Sequence, residues 1–274
     1  MRGDAPSQHD FDHVYTRQLY AGFGHKQFGE LTYGNMVTIT DEVTQSDLAN
    51  TYSLTDGLLE TSARRVTQYV YNGDYGSNKV KFGAYYGGSS KRNIKNVDLK
   101  NNRKNTWGTG LIFEHEIDSI QNVTVAAGFT REISENANKT AYYSNAYALG
   151  LAYNFVHTTY GLDLAHKDTK NKDGAGNKVK NNEVTAVIRQ GLNEDWNVYA
   201  MYSYKTEKTL PVGSAYSKST DRQFLVGTEY YVYNQGSLKV KPFLEWQATR
   251  TKYENDTKDR SRDFKTVIGL RAYW

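Results

Sequence analysis

The sequence predicts an all-β protein: an antiparallel, up-and-down transmembrane β-barrel with about 13 strands present. Three observations predict it. Apolar and polar side chains alternate strictly, this alternation recurs along most of the chain, and short and long connections alternate between the recurrences. In the clearest segment, 264–274, one aromatic residue begins the apolar face and another ends it. Aromatic rings favour the two membrane–water interfaces, and about ten tilted residues span an outer membrane. One such strand would also fit a soluble sandwich, so the repetition decides for the barrel.

The composition excludes several other classes of protein. Only 38% of the 274 residues are hydrophobic, and no stretch approaches the ~18 consecutive apolar residues of a transmembrane helix. Aromatic residues reach 14%, too many for a disordered chain, and 23 glycines against 3 prolines suit many strands. The absence of cysteine excludes a disulfide framework and a thiol nucleophile. The 34 basic and 30 acidic residues are interleaved, so no nucleic-acid partner is expected.

Thirteen segments show the alternation. In chain order they are residues 14–24, 28–37, 64–72, 78–87, 105–115, 122–131, 141–153, 156–166, 183–190, 196–206, 222–231, 237–250 and 264–274. In the fourth segment, for example, Phe82 and Tyr86 share one face while Lys79 and Lys81 share the other. Tight turns follow the odd-numbered segments and longer polar connections follow the even-numbered ones, which is typical of outer-membrane barrels.

The two faces of these segments suit lipid on one side and water on the other. Aromatic residues predicted to face lipid near the interfaces are Trp107, Phe129, Trp246 and Trp274. The opposite faces carry charges that a packed core would not accept but a water-filled lumen would. The predicted lumen-facing residues are Lys79, Lys81, Arg189, Lys239, Lys241, Glu245 and Arg271. In 141–153 one face carries only small residues, from Ser144 to Ala152.

Residues 38–62 interrupt the alternation with a long run of acids and hydroxyls. The acidic residues in this run are Asp41, Glu42, Asp47, Asp56 and Glu60. Arg17, Arg64 and Arg65 lie on the flanking strands. The run fits an exposed loop with solvated charges, or a functional constellation of its acids with the arginines of the flanking strands. These eight residues form the candidate site.

Two motifs and the chain end resemble a known family. Residues 16–23 (TRQLYAGF) and 28–35 (FGELTYGN) resemble the paired strands that precede the constriction loop of Gram-negative general porins. The final GLRAYW, 269–274, is similar to that family's closing strand. The resemblance covers the whole chain and implies a 16-stranded barrel, usually trimeric, through which small hydrophilic solutes diffuse. It also implies a third loop that folds into the lumen opposite an arginine cluster.

The resemblance implies that the eight candidate residues form a pore constriction, and it implies roles for three positions among them. Arg17 matches one arginine of the cluster, and Arg65 or Arg64 matches another. Asp47 matches a carboxylate of the inward loop. The choice between Arg64 and Arg65 stays open, because the motif alignment favours Arg65 whereas Arg64 shares a face with the polar Gln68.

The sequence also departs from the family pattern. Asn-Thr-Tyr-Ser at 50–53 stands in place of the family's Pro-Glu-Phe-Gly-Gly, and Asn35 takes a commonly basic position. Met1 falls in the family's second external loop, so residues 1–12 are interpreted as the remainder of that loop. The signal peptide and the first three strands then have no counterpart. We therefore expect one barrel domain over 1–274, with thirteen of sixteen strands.

These features predict an outer-membrane porin that lets small hydrophilic solutes and ions diffuse passively, without catalysis, cofactor or metal. Expected partners are outer-membrane lipids, two further copies in a homotrimer when the chain is full length, and barrel-insertion machinery that recognises Trp274. Two alternatives stay open. One is an outer-membrane barrel hydrolase with its active site on the rim, for which His157 or His166 near Asp163 could act as acid or base. The other is a truncated porin fragment without function.

Overall fold

The chain forms one 14-stranded antiparallel sheet and a separate two-stranded hairpin. A computed structural model describes residues 18–90, 93–94, 97–98, 102–136, 139–172, 177–213, 215–255 and 259–273. The strands are β1 (Leu19–His25), β2 (Gly29–Val37), β3 (Ser62–Tyr75), β4 (Asn78–Gly87), β5 (Asn93–Ile94), β6 (Val97–Asp98), β7 (Asn102–Asp118), β8 (Gln121–Asn136), β9 (Lys139–Phe155), β10 (Thr158–Asn171), β11 (Lys178–Gly191), β12 (Trp196–Leu210), β13 (Ser217–Tyr230), β14 (Tyr233–Gln235), β15 (Leu238–Glu254) and β16 (Arg260–Tyr273).

The sheet is a meander in which successive long strands are neighbours. Its order is β1-β2-β3-β4-β7-β8-β9-β10-β11-β12-β13-β15-β16, and every pair is antiparallel. The three-residue strand β14 adds to β15, and the hairpin β5–β6 lies in the connection between β4 and β7. The thirteen long strands correspond one for one to the thirteen predicted segments. The predicted all-β, up-and-down architecture is confirmed, and only the short strands β5, β6 and β14 were missed.

The predicted strict alternation of connection lengths is wrong. The strands run further than the amphipathic pattern does, so β7 begins at Asn102 and β15 ends at Glu254, beyond the predicted 105 and 250. As a result only residues 137–138 separate β8 from β9, and 255–259 separate β15 from β16. Backbone pairing between strands needs no apolar side chains, so a ladder can continue past the membrane where the alternation has already ended.

The aromatic residues lie on the outer face of the sheet, as predicted. Trp107 and Trp246 are exposed, and the rings of Trp107, Phe129 and Tyr147 form a row on three neighbouring strands with centroids 5.0 Å apart. Trp274 lies outside the described residues. Since no compact core gathers these rings, the aromatic surface is available to lipid.

Both ends of the described sheet are edges. Among the described residues β1 pairs only with β2, and β16 pairs only with β15. Every residue of β1 is exposed, and so are most residues of β16. Within the described part of the chain, no helix has the length and apolar character needed to cross a membrane.

Candidate pore constriction

The connection between β2 and β3, residues 38–61, lies against the inner face of the sheet and is called the inner loop below. It begins with a short 3-10 helix, Ile39–Val43, whose apolar residues turn towards the wall. Ile39, Val43, Leu54 and Leu59 are all buried. A loop from so polar a sequence buries these side chains because the strands around it offer an apolar or small inner surface.

The buried residues of the inner loop contact three patches of wall in succession. Ile39 packs with Val66 and Tyr85 on β3 and β4. The second patch holds Val43 and Leu59 against alanines of β8 and β9. Leu54 joins a cluster with residues of β11, β12 and β13. One loop therefore touches strands from β3 to β13, which requires the sheet to curl around it.

Five glycines on successive strands make room for the start of the inner loop. They are Gly83 on β4, Gly110 on β7, Gly128 on β8, Gly150 on β9 and Gly161 on β10. A Cβ atom on any of them would meet Ile39, Val43 or Gln45 at 3.1 Å or less, and on Gly150 it would lie 2.1 Å from the Val43 carbonyl oxygen. The small-residue face seen in the sequence of 141–153 is thus part of a track on which the loop lies.

Carboxylates of the wall hold the backbone of the inner loop. Asp163 of β10 accepts the N–H groups of Gln45 and Ser46, at 2.9 and 2.8 Å, and the Ser46 hydroxyl at 2.5 Å. Glu183 of β11 accepts the N–H of Asp56 at 3.0 Å. Such charge-assisted bonds satisfy backbone donors that an irregular buried segment would otherwise leave unpaired.

The third and most buried carboxylate anchor lies on β15. Glu245 of β15 accepts the N–H groups of Asn50, Thr51 and Tyr52 at 2.5, 3.0 and 2.9 Å, and the Tyr199 hydroxyl at 2.6 Å. Its side chain is fully enclosed. A carboxylate buried without a basic partner is costly, and here four donors compensate for its lost hydration.

A second buried carboxylate, next to Glu245, pairs with two basic side chains. Glu229 of β13 pairs with Lys241 at 2.6 Å and with Arg189, and it accepts the side-chain amide of Asn50 at 2.8 Å. Arg271 of β16 donates to the Asn50 carbonyl. These charges were predicted to line a lumen. Lys241 and Glu245 do lie on the inner face, but both are buried. Glu245 binds the loop backbone and Lys241 pairs with Glu229, so neither faces open water.

Lysines of the wall pair with the predicted acidic residues of the inner loop. Lys81 pairs with Glu42 at 2.5 Å, Lys205 with Asp56 at 2.5 Å, and Lys167 with Glu60 at 3.7 Å. The bases come from β4, β12 and β10, and none of these bases is an arginine. The alternating lysines of β4 place Lys81 on the inner face, so the sequence could have indicated a base for Glu42. The contacts of Lys167 and Lys205 depend on the path of the loop, which the sequence does not give.

Two loop carboxylates remain without an ion pair among the described residues. Asp47 is exposed. Asp41 lies beside Glu42 in the 3-10 helix, and partial desolvation raises the pKa of the Asp41 carboxyl, against the opposing effect of a hydrogen bond from Thr61. These two residues carry the free negative charge of the loop.

The predicted arginines occupy a β-bulge. Gly34 pairs with Val66 and Met36 with Ala63, so Arg64 and Arg65 together oppose the single residue between them on β2. Arg65 takes a positive φ of 54°, and both arginines are exposed. The bulge places residues on either side of it on the inner face, so sharing parity with Gln68 says nothing about the direction of Arg64. Arg17 and residues 1–12 lie outside the described residues.

One inner arginine was missed. Arg103 of β7 is buried and donates to the Arg64 carbonyl at 3.0 Å. It lies before the predicted segment 105–115, where apolar and polar residues do not alternate, so the pattern could not predict its direction. Of the other predicted inner residues, Lys79 is exposed and pairs with Glu114 at 3.4 Å, and Lys239 is exposed.

His166, one of the two histidines proposed for a hydrolase, does not contact Asp163. His166 and Asp163 are three residues apart on β10, so their side chains lie on opposite faces of the sheet. His166 is on the outer face, where it contacts Asp168 at 3.2 Å. Asp163 points inward and holds the loop. Within the described part of the chain, no group of three His, Asp or Glu side chains is arranged to hold a metal ion.

The strands of this antiparallel meander are long enough to cross an outer membrane when tilted. Together with the apolar outer face and the inward-folded loop, this defines an outer-membrane β-barrel protein. The chain belongs to the Gram-negative porin family, whose model matches residues 3–258. It is similar to two "Major outer membrane protein" sequences. The one of Pasteurella multocida strain Pm70 is 22% identical over 287 residues, covering 99% of this chain and 75% of the relative. The other, from Pasteurella multocida, is 24% identical over 266 residues, covering 95% and 68%.

Solved structures share the fold. The chain is similar to OmpT with a loop L8 deletion, an outer membrane protein of Vibrio cholerae (TM-score 0.64, 17% identity, 95% of this chain and 80% of that one). It is also similar to the trimer form of in-vitro folded OmpT from Vibrio cholerae (TM-score 0.61, 17% identity, 95% and 81%). A third is an anion-selective porin from Comamonas acidovorans (TM-score 0.61, 14% identity, 94% and 76%). The protein is thus a porin of the outer membrane.

Proposed function

We propose that this porin forms a water-filled channel for passive diffusion of small hydrophilic solutes and ions, with the inner loop as its constriction. The single observation behind the proposal is the anchoring of that loop. Contacts from Gln68 on β3, which accepts the Ile39 N–H at 2.7 Å, to Glu245 on β15 hold it across the inner face. Because bonds to several strands fix its position, the loop would narrow the channel without folding further inward and blocking it.

The charges of the constriction would select among ions. Opposed charges in a narrow aqueous passage set a transverse field and favour one sign of ion. In the proposal Asp47 and Asp41 supply the negative side, and Arg17 with Arg64 or Arg65 supplies the positive side. Glu42, Asp56 and Glu60 belong to the same loop, but their lysine partners largely cancel their charge.

Two measurements test the channel. Purified protein in a planar bilayer is expected to give stepwise conductance in KCl, and proteoliposomes are expected to swell in small sugars but not in large ones. Protein that inserts but gives neither conductance nor swelling would refute the channel. The hydrolase alternative is assayed in the same preparation with peptide and ester substrates, and turnover without swelling would support it. Absence of insertion would favour the non-functional fragment.

The partners are proposed with the channel. Outer-membrane lipids would cover the exposed aromatic face, and a barrel-insertion machinery would recognise the C-terminal Trp274. A homotrimer is proposed for the complete barrel, supported by the trimer form in which the similar OmpT structure is described. Cross-linking in native membranes tests the trimer, and a ladder that ends at the monomer would contradict it.

A further inference from the structure

Three arginines form a row on the outer face of the last three long strands. Arg222 of β13 lies directly opposite Arg250 of β15, which lies directly opposite Arg262 of β16. All three side chains are exposed. Opposed residues of neighbouring strands have Cβ atoms about 4.5–5.5 Å apart, so the three positive charges are adjacent.

The row belongs to the lipid side of the wall. On β13 Leu225 is fully buried against the inner loop, which leaves Phe224, and by parity Arg222, on the outer face. On β15 and β16 the arginines share a face with the stacked rings of Trp246 and Phe264, whose centroids lie 6.2 Å apart. The register across these strands has no bulge, so the faces continue unbroken.

The row also has a definite depth. Phe264, two residues after Arg262, begins the exposed apolar face of β16 that continues through Ile268 and Leu270. Two residues correspond to about 7 Å along a strand. Arginine at this distance from an aromatic girdle reaches the headgroup region with its guanidinium.

The end of the barrel at which the row lies is the outer one. The row is near the connection 255–259, at the same end as the long connections 38–61 and 88–101. The opposite end has the shorter connections, such as 76–77 and 156–157. Longer connections of outer-membrane barrels face the exterior, so the row faces the outer leaflet.

Little within the described residues neutralises these charges. Arg222, Arg250 and Arg262 make no ion pair there, and the Cζ of Arg222 lies 6.0 Å from the centroid of the Tyr204 ring. By contrast, the basic residues one pair further out have acids beside them: Lys252 lies 3.9 Å from Glu254. Like charges directly opposite each other destabilise a sheet unless something binds between them.

We propose that the row Arg222–Arg250–Arg262 binds a phosphate-bearing lipid headgroup of the outer leaflet. Guanidinium groups bind phosphate oxygens in pairs of parallel hydrogen bonds, and three adjacent groups suit a headgroup with more than one phosphate. The bound phosphate removes the repulsion between the strands and fixes a lipid against the aromatic girdle.

The test measures binding of lipopolysaccharide micelles to the detergent-solubilised, folded protein. Arg250→Gln combined with Arg262→Gln is expected to weaken binding about tenfold, because each arginine contributes charged hydrogen bonds. The matched control is Lys265→Gln, which removes one charge from the inner face of β16 and should bind like the unaltered protein. Lipopolysaccharide with its phosphates removed enzymatically should bind the unaltered protein as weakly as the native lipid binds the double variant.

Three results would overturn the proposal. They are equal binding by the double variant, an equal loss in Lys265→Gln, and equal binding of the dephosphorylated lipid. Inorganic phosphate is the soluble competitor: displacement of the lipid at low millimolar phosphate would show a free-phosphate site instead of a lipid site. Arg222→Gln, on a strand paired at both sides, repeats the measurement should the double variant not fold.

Discussion

The Asp163 carboxylate accepts both the backbone N–H and the hydroxyl of Ser46, at 2.8 and 2.5 Å, across 117 residues of sequence. This contact joins the inner loop to the middle of the wall. Two other carboxylates, Glu183 and Glu245, repeat the arrangement further along the loop. The position of the loop therefore depends on a few charge-assisted bonds from strands far from it in sequence.

Asp163→Asn is expected to loosen the inner loop. An amide oxygen is a weaker acceptor than a carboxylate, and loss of charged hydrogen bonds costs about 1.5–3 kcal/mol each. We expect noisier and larger single-channel conductance and a lower unfolding temperature. Asp263→Asn, an exposed inner residue of β16, is the matched control. Identical conductance traces for the two variants would mean that Asp163 does not position the loop.

Gly150→Val tests the track beneath the loop. Its first side-chain atom would lie 2.1 Å from the Val43 carbonyl oxygen, so the loop must move away from β9. Overpacking of this kind costs about 1–3 kcal/mol. We expect altered conductance together with reduced thermal stability. Gly88→Ala is the control, since a Cβ there meets nothing closer than 3.9 Å. A Gly150 variant with unchanged conductance would show that the loop does not depend on this contact.

Lys205→Gln is expected to destabilise the loop through the loss of its ion pair with Asp56. The Lys205 side chain is enclosed while Asp56 is partly exposed, and they lie 2.5 Å apart beside Glu183. Removing the base leaves two carboxylates together, at a cost on the order of 1–3 kcal/mol. Adding Asp56→Asn to the same chain should restore part of the loss in unfolding temperature. Additive losses in the double variant would show that the two side chains are not coupled.

Ion selectivity tests the proposed constriction. Asp47→Asn should shift the bilayer reversal potential towards anions, and Arg17→Ala should shift it towards cations, since each change removes one side of the transverse field. The shifts should be largest at low salt, where screening is weakest. Glu114→Gln, which removes the acid of the exposed ion pair with Lys79, is the control. If neither Asp47 nor Arg17 changes the potential, the loop charges lie outside the conducting path.

The edges predict the assembly of the 274-residue polypeptide. Unpaired backbone groups inside a bilayer cost several kcal/mol each, and β1 and β16 each have one unpaired side among the described residues. This polypeptide on its own should therefore run as a monomer on semi-native gels, without heat-resistant trimers. A version extended at its N-terminus by three strands should give them. Heat-resistant trimers from residues 1–274 would show that the edges close on each other.

Local patterns were enough for the strands and their faces. Trp107 and Trp246 lie outside, and Lys79 and Lys81 lie inside, because a strand places alternate residues on opposite faces wherever it pairs. The same rule failed at Arg64 and Arg65, where a bulge inserts an extra residue, and it missed Arg103, which lies where the apolar pattern has ended. At both places the backbone pairing is determined by the neighbouring strand, so the local sequence pattern does not predict it.

The sequence by itself determined that this protein is an all-β outer-membrane barrel with thirteen long strands and one long acidic connection. Periodicity and aromatic placement are properties of each segment alone, so they can be seen without the fold. Only the tertiary structure decided that Glu42 and Asp56 pair with lysines, and that Glu245 is buried under the loop instead of facing water. Those outcomes depend on the path of the inner loop, which is set by carboxylates and glycines contributed by strands up to 195 residues away.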